Sequence, residues 1–288
     1  MILVIGSNGQ LGTDLINLLD KKNIEHVALT RTDVDIENLA DLNSYLKSVN
    51  FDFLVNCTSY HKTDEVEDNP EKAFLINAKA PKIMADICSS KKSKLIHIST
   101  DYVFGGNFEN SLLSELSCTS PLNIYGLSKL QGENFIKKSS NHHYIFRVAS
   151  LFGEAGASGK GGNFVEAIYK KAKEEGKISV VNDQIMSPTS TKFIAKVIYR
   201  FITHNFSGGI YNVVNKGEVS WFDFAKKICE ISNIEVEATP ISADTLNLKA
   251  MRPSYSALSS EKLESTGIDI PTYEEELRDY LISKGHIQ

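Results

Sequence analysis

The sequence predicts an α/β protein built on a doubly wound parallel sheet, with a smaller substrate-binding domain interleaved towards the C-terminus. Three observations support this prediction. A short apolar run at the N-terminus opens into a glycine-rich turn, and four further short apolar runs follow, each separated from the next by a helix-length segment. The second half of the chain is less regular, which indicates a smaller unit of different architecture.

The first predicted strand and helix flank a turn that contains three glycines. Residues 1–5 are apolar, and apolar residues recur at positions 15, 16, 18 and 19, as in an amphipathic helix. Glycines between such a strand and helix let the backbone approach a pyrophosphate at the helix N-terminus. Their spacing is Gly-x-x-Gly-x-x-Gly, not the Gly-x-Gly-x-x-Gly of most dehydrogenases. We expect a dinucleotide cofactor to be bound here by Gly6, Asn8, Gly9, Gln10, Leu11 and Gly12.

The later apolar runs complete the predicted sheet. They lie at residues 26–29, 53–56, 95–99 and 144–148. Short continuous apolar strands that alternate with helices are typical of a parallel sheet with both faces covered, here of Rossmann type. In such a sheet the carboxyl ends of the strands meet at one crevice, which is where ligands bind. The residues that follow each run should therefore line a common site.

The domain organisation follows from the change in pattern near residue 150. We expect residues 1–150 to form the NAD(P)-binding domain and residues 151–288 to form mainly the substrate domain, with parts of 178–215 returning to the sheet. Residues 153–162 include five glycines and are predicted to form a loop. Helices are predicted over 163–173, 191–202 and 221–231.

Composition excludes several classes of partner. The net charge of −5 provides no basic surface for nucleic acid or for acidic membranes. No apolar segment approaches the roughly 18 residues that span a bilayer. The four cysteines are far apart, and no ligand spacing of a metal site is present. We therefore expect a cytoplasmic protein with reduced thiols and no metal.

The residues with the clearest chemical signature are Tyr125 and Lys129. Residues four apart lie on one face of a helix, so the ammonium can lie beside the phenol and help it act as an acid near neutral pH. Thr100 and Asp101 follow the fourth strand and reach the same rim. Two donors, the Thr100 hydroxyl and the Tyr125 phenol, would stabilise the charge that develops on a carbonyl oxygen as hydride arrives.

These motifs together resemble a known family. The chain is similar over nearly its whole length to extended short-chain dehydrogenases/reductases, and among them to the dTDP-4-dehydrorhamnose reductase family. The matching segments are Gly6–Gly12, Ser99–Phe104, Pro121–Lys129, Gly132-Glu133, Val181–Gln184, Ser187–Thr189 and Arg252-Pro253. The resemblance implies a Rossmann-type domain with a small sugar-nucleotide domain. It also implies NAD(P)H-dependent reduction of a 4-keto-6-deoxyhexose linked to dTDP.

The resemblance also assigns roles to individual residues. It makes Tyr125 the proton donor, and Lys129 the group that holds the nicotinamide ribose and lowers the pKa of Tyr125. Thr100 and Asp101 would meet the sugar. Asn77 would help to position the lysine. An equal alternative is that its side-chain amide makes a local hydrogen bond within its helix.

Further residues of the substrate site follow from the same resemblance. Arg252 would bind the diphosphate as a bidentate fork, and Asn163 is assigned to the substrate site. The family usually has Arg-Thr-Ser-Trp after the fifth strand, whereas this chain has Ser150 in place of the tryptophan. The aromatic platform for the sugar is thus missing at that position. After the third strand, Ser59 and Tyr60 belong to a segment that also departs from the family and would line the cofactor side.

Cofactor choice depends on the end of the second strand. Arg31 lies there between two threonines, where an acidic residue would bind the ribose hydroxyls of NADH. An arginine suits the 2′-phosphate of NADPH, which is therefore favoured. Asp35 and Ile36 match the family's adenine-side pair and are compatible with either cofactor.

The sequence is also compatible with two other functions, and it predicts one assembly state. The same chemistry could act on a different nucleotide sugar. Some members of the superfamily instead bind NADP(H) as regulatory subunits, as the β subunit of methionine adenosyltransferase does. Helices over 71–89 and 125–138 correspond to those that many extended reductases pair across a two-fold axis, so a homodimer is expected.

Overall fold

The computed structural model describes residues 1–105, 111–139, 142–156 and 162–288. The strands within these residues are β1 Ile2–Ile5, β2 His26–Leu29, β3 Phe53–Asn56, β4 Lys94–Thr100, β5 His143–Val148, β6 Leu151–Phe152, β7 Lys177–Val181, β8 Ile185–Met186, β9 Thr189–Ser190, β10 Gly209–Asn212, β11 Val219–Ser220 and β12 Glu237–Ile241. The predicted loop over 153–162 lies partly outside the described residues, at 157–161.

The helices include the three predicted over 163–173, 191–202 and 221–231, with ends that agree within two residues. They are α1 Gln10–Lys21, α2 Leu39–Ser48, α3 Thr63–Asp68, α4 Pro70–Phe74, α5 Ala80–Lys91, α6 Ile124–Ser139, α7 Phe164–Glu175, α8 Thr191–Thr203, α9 Trp221–Ile231, α10 Glu261–Glu264 and α11 Tyr273–Ser283. A π-helical turn over Leu75–Lys79 joins α4 to α5, and a 3-10 turn over Asp101–Val103 follows β4. In the described parts of the chain, no helix is both long and apolar enough to cross a membrane.

Six parallel strands form the central sheet in the order β10-β5-β4-β3-β1-β2. All four residues of β1 are buried, because helices cover both faces of the sheet. One face packs against α1 and α8, and the other packs against α2, α5 and α6. The predicted doubly wound parallel sheet is confirmed.

The later part of the chain contributes to two regions. The strand β10 lies beside β5 in the central sheet, whereas β7 pairs with β12 in a separate two-stranded sheet. A second apolar core forms there between α7, α9 and α11. The chain therefore returns to the central sheet through α8 and β10 before it completes the smaller region.

A buried ion pair ties α6 to the sheet beneath it. Arg147 on β5 donates from Nε and Nη2 to the two carboxylate oxygens of Glu133, at 3.0 and 2.7 Å. Ser99 on β4 donates to the same carboxylate at 2.6 Å. Both charged side chains are almost completely buried. Because a planar guanidinium binds a carboxylate in a defined orientation, this pair sets the position of α6 on β4 and β5.

Removing one partner of this pair should destabilise the fold strongly. In Glu133→Ala the Arg147 guanidinium remains buried without its counter-charge, so the free energy of unfolding should fall by about 3–5 kcal/mol. The matched control is Glu230→Ala, which breaks the surface Lys227–Glu230 pair on α9 and should cost less than about 1 kcal/mol. Urea denaturation measures both. Similar losses in the two variants would contradict the role given to the buried pair.

Candidate active site

A crevice of about 630 Å³ opens at the carboxyl ends of the central strands. This is the position at which a doubly wound sheet binds its ligands. Most of the residues predicted from the sequence line it. They are Gly6, Asn8, Gly9, Gln10, Leu11, Arg31, Asp35, Ile36, Ser59, Tyr60, Thr100, Asp101, Tyr125, Lys129 and Ser150.

The glycine turn has the geometry needed to receive a pyrophosphate. Gly6 has a φ of 81°, and a Cβ at Gly12 would overlap the carbonyl oxygen of Gly6, so α1 lies close against the turn. No side chain caps the N-terminus of α1, and its first turn contains no acidic residue. Free N–H groups without a competing carboxylate fit the anionic centre of a dinucleotide.

At the predicted adenosine end, the side chains of Arg31 and Lys72 both contact the carboxylate of Glu37. Nη2 of Arg31 is 2.7 Å from Oε1 of Glu37, and Nζ of Lys72 is 3.2 Å from the same oxygen. Asp35 lies 3.7 Å from Nε of Arg31. Lys72 has no motif around it and was not predicted from the sequence. The structure brings it to the crevice from α4.

At the other end, hydroxyl groups converge on Tyr125. Burial raises the pKa of the Tyr125 phenol, while side-chain hydrogen bonds with Thr100 and Ser59 lower it. The sequence-based prediction gave this lowering to Lys129, and that attribution is wrong in this structure. Nζ of Lys129 instead donates to the Ile98 carbonyl at 2.6 Å and lies 3.3 Å from Nε2 of His97. Burial is the main reason that the pKa of Lys129 falls to about 8.

The carboxylate of Asp101 accepts a hydrogen bond from the hydroxyl of Thr100. Its Oδ1 accepts from Thr100 at 3.0 Å, and its Oδ2 accepts from Ser256 at 2.7 Å. Burial raises the pKa of Asp101 to about 6, although these hydrogen bonds favour the ionised form. The carboxylate therefore orients the Thr100 hydroxyl and links the rim of β4 to the C-terminal region.

Three residues predicted to bind the cofactor or the substrate do not line the crevice, namely Gly12, Asn163 and Arg252. Gly12 lies behind the turn, where it lets α1 pack. Asn163 caps α7, accepting from the Glu166 N–H and donating to the Gly153 carbonyl and the Tyr280 hydroxyl. Its predicted substrate contact is not supported by this placement, because the amide is used within the fold.

Arg252 is also placed differently from the prediction. Its guanidinium forks onto Asp64, with Nη2 2.7 Å from Oδ2 and Nη1 3.3 Å from Oδ1. The fork predicted for the diphosphate is thus filled by a side chain of α3. Arg252 is linked to the crevice through Tyr102, whose hydroxyl it hydrogen-bonds.

Asn77 does not contact Lys129. It lies in the π-helical turn, where Oδ1 accepts from the Tyr60 N–H at 2.9 Å and Nδ2 donates to Ser128 on α6 at 3.0 Å. Asn77 thus joins the Ser59-Tyr60 segment to the helix that carries Lys129. The prediction that Asn77 helps to position the lysine stays a prediction, and the contact that would serve it runs through Ser128, the residue before Lys129.

An aromatic side chain lines the crevice although Ser150 has none. It belongs to Trp221, the first residue of α9. Its ring packs on Phe164 with 4.6 Å between centroids. Ser220 caps α9 by accepting from the Asp223 N–H, which places the ring. The signal in the sequence was that Trp221 is the chain's single tryptophan and follows a capping serine.

Comparison with known proteins agrees with this geometry. A family model described as the RmlD substrate binding domain matches residues 1–284. The chain belongs to this family. The predicted resemblance to extended short-chain reductases is thereby confirmed.

Relatives of this RmlD-family chain match it over almost its whole length. The spore coat polysaccharide biosynthesis protein SpsK of Bacillus subtilis (strain 168) is 35% identical over 283 residues, which are 97% of this chain and 96% of that protein. A dTDP-4-dehydrorhamnose reductase structure from Clostridium acetobutylicum ATCC 824 superposes with a TM-score of 0.92, at 34% identity and 99% coverage of both chains. The structure of such a reductase from Bacillus anthracis str. Ames in complex with NADP has a TM-score of 0.91, at 34% identity and 98% coverage of both.

The two cations at the adenosine end lead to a test of cofactor preference. Replacing Arg31 with Ala should weaken NADPH binding at least about tenfold while NADH binding changes little, because only NADPH has a phosphate for the guanidinium to meet. Lys72→Ala should act in the same direction with a smaller effect, since a point charge binds phosphate in one contact. Fluorescence titration with both cofactors measures this. Equal losses for NADPH and NADH in Arg31→Ala would remove the residue from phosphate recognition.

Proposed function

We propose that this protein is a dTDP-4-dehydrorhamnose reductase, which reduces the 4-keto group of a dTDP-linked 6-deoxyhexose with NADPH to make dTDP-L-rhamnose. The observation that carries the proposal is that Thr100, Tyr125 and Lys129 line the same crevice as the uncapped N-terminus of α1. The NADP complex of the structural relative from Bacillus anthracis supports the choice of cofactor.

NADPH supplies a hydride when it is bound, and the residues of this chain perform the remaining work. The turn at Gly6–Gly12 and the N-terminus of α1 bind the pyrophosphate, while Arg31 and Lys72 bind the 2′-phosphate. Thr100 turns its one hydroxyl proton from Oδ1 of Asp101 to the keto oxygen when the sugar binds. Tyr125 gives its phenolic proton to the same oxygen, so the charge that develops there is neutralised as the new C–H bond forms.

The role of Tyr125 is tested by removing a single oxygen atom. Tyr125→Phe should lower kcat by roughly 10²- to 10⁴-fold, the range lost with a general acid, and NADPH should bind as in the parent. The assay follows the absorbance of the reduced nicotinamide with a panel of nucleotide 4-keto-6-deoxy sugars. Tyr102→Phe is the matched control, since this ring packs edge-on against Tyr125 and should have a much smaller effect on kcat.

The panel also separates the proposal from its alternatives. Turnover of a different nucleotide sugar, with none of dTDP-4-dehydrorhamnose, would keep the chemistry and change the substrate. Tight NADPH binding without turnover of any sugar would favour a non-catalytic NADP-binding subunit. Near-normal turnover by Tyr125→Phe would show that another group donates the proton.

We also propose that Trp221 provides the aromatic face for the sugar that Ser150 lacks. Ser150 has a φ of 46°, a left-handed conformation that a large side chain adopts poorly, and Trp221 is the tryptophan that lines the same crevice. An aromatic face packs well against the apolar edge of a deoxyhexose.

Truncating this ring should affect the sugar and leave the cofactor unchanged. Trp221→Leu should raise KM for the dTDP sugar about tenfold, roughly the value of one lost aromatic contact, while KM for NADPH stays within a factor of two. Phe222→Leu is the control, because this neighbour on α9 packs outside the crevice against Lys226. If Trp221→Leu raised both constants equally, the ring would be a structural support of the crevice only.

We further propose that the protein is a homodimer that pairs through α5 and α6. The two helices lie side by side on one face of the sheet, so a two-fold axis would bring four helices together. Light scattering at micromolar concentration should give twice the 31.9 kDa chain mass. A monomer mass at that concentration would contradict the proposal.

A further inference from the structure

Three polar side chains form a buried row beneath the crevice. They are Asn56 at the end of β3, His97 within β4 and Lys129 on α6. None is more than 1% exposed. Nδ2 of Asn56 lies 3.0 Å from Nδ1 of His97, and Nε2 of His97 lies 3.3 Å from Nζ of Lys129. The hydrogen bonds of these three side chains determine which of their nitrogen atoms carry protons.

The Asn56 amide has only one orientation that satisfies its neighbours. Its Oδ1 accepts from the backbone N–H of Thr58 at 3.0 Å and from the Thr58 hydroxyl at 2.6 Å. A backbone N–H is always a donor, so the atom that meets it has to be the amide oxygen. The amide nitrogen therefore faces His97 and donates to Nδ1.

This donation selects one form of the histidine. Nδ1 of His97 accepts a hydrogen bond, so it carries no proton, and the neutral ring has its proton on Nε2. Burial and the nearby Lys129 both lower the pKa of His97 well below its usual value, which agrees with a neutral ring. The Nε2–H therefore points at Nζ of Lys129.

An N–H aimed at Nζ favours an uncharged amine. An ammonium has three donors and no acceptor, whereas a neutral amine has a lone pair that accepts from Nε2–H. The amine still donates to the Ile98 carbonyl through one of its own hydrogens. With an ammonium, two donors face each other and one hydrogen bond is lost, which is costly inside a protein.

We propose that Asn56 and His97 are positioning residues that set the charge of Lys129, because they hold an N–H donor against its amine and so favour the uncharged form of the lysine. The proposal goes beyond the reductase function, since it concerns a protonation state that exists without substrate. Its consequence for turnover rests on that function: after Tyr125 gives its proton to the sugar, the ammonium form of Lys129 on the same helix returns a proton to the phenolate. This leaves the neutral amine that the row favours.

The other charged and titratable groups around Lys129 are few. On α6 they are Tyr125 and Glu133, and the negative charge of Glu133 raises the pKa of Lys129. Arg147 on β5 is paired with that same glutamate. Asp101 lies beyond the end of β4 and bonds Thr100 and Ser256. The residues of β3 contribute no ionisable side chain.

The test is Asn56→Asp, which changes one atom of the row. One carboxylate oxygen continues to accept from Thr58, and the other accepts from Nδ1 of His97. The ring proton should then move to Nδ1, and Nε2 should accept from the lysine ammonium. We expect the ¹⁵N shifts of His97 to report a proton on Nε2 in the parent and on Nδ1 in the variant. The ¹⁵Nζ titration midpoint of Lys129 should rise by at least about one pH unit.

Two further variants keep the test decisive. His97→Phe removes the N–H and should also raise the Lys129 midpoint, which a purely structural role of His97 would not predict. Thr58→Val removes one donor to Asn56 Oδ1 while the backbone N–H remains, so the proton on His97 should stay on Nε2. If the midpoint rises, the pH at which kcat declines should rise by the same amount.

Two results would overturn the proposal. One is a proton on Nδ1 of His97 in the parent protein, and the other is an unchanged Lys129 midpoint in both Asn56→Asp and His97→Phe. The NMR measurements need no substrate, so an absence of turnover with every sugar would count against the proposed function and leave this inference standing.

Discussion

The seating of α6 on the sheet is the constraint on which the site depends. This helix carries Tyr125, Lys129 and Glu133 at intervals of four residues, so all three lie along one face. The last of them is held by Arg147 in a buried, bidentate ion pair that Ser99 completes. Because the pair fixes the rotation of the helix, it also fixes where the phenol and the amine meet the crevice.

Burial and hydrogen bonding then give each group of the site a distinct protonation behaviour. The phenol of Tyr125 is kept protonated by burial, and this suits a group that donates a proton. The carboxyl of Asp101 is buried but receives two hydroxyl donors, so it orients Thr100. Lys129 lies in the same dry environment and loses its charge more easily than an exposed lysine. The local surroundings therefore determine how firmly each of the three side chains holds its proton.

The two ends of the crevice are assembled from distant parts of the chain. Arg31 follows β2, and Lys72 comes from α4, yet both approach one carboxylate oxygen of Glu37. At the other end, Ser150 follows β5 and Trp221 opens α9. In the proposed function, selectivity for the cofactor and for the sugar would thus depend on loops and helix ends, while the sheet and α6 would hold the reacting groups.

The sequence by itself determined the parallel sheet, the glycine turn and the residues of the Tyr125–Lys129 pair, because these depend on local spacing and on alternating apolar runs. It did not determine what those residues touch. Arg252 has the chemistry of a phosphate ligand, but Asp64 on another helix occupies its fork. His97 is an ordinary strand residue until folding places it between Asn56 and Lys129. Hydrogen-bond partners and burial are set by contacts between residues distant in sequence, so only the tertiary structure decided them.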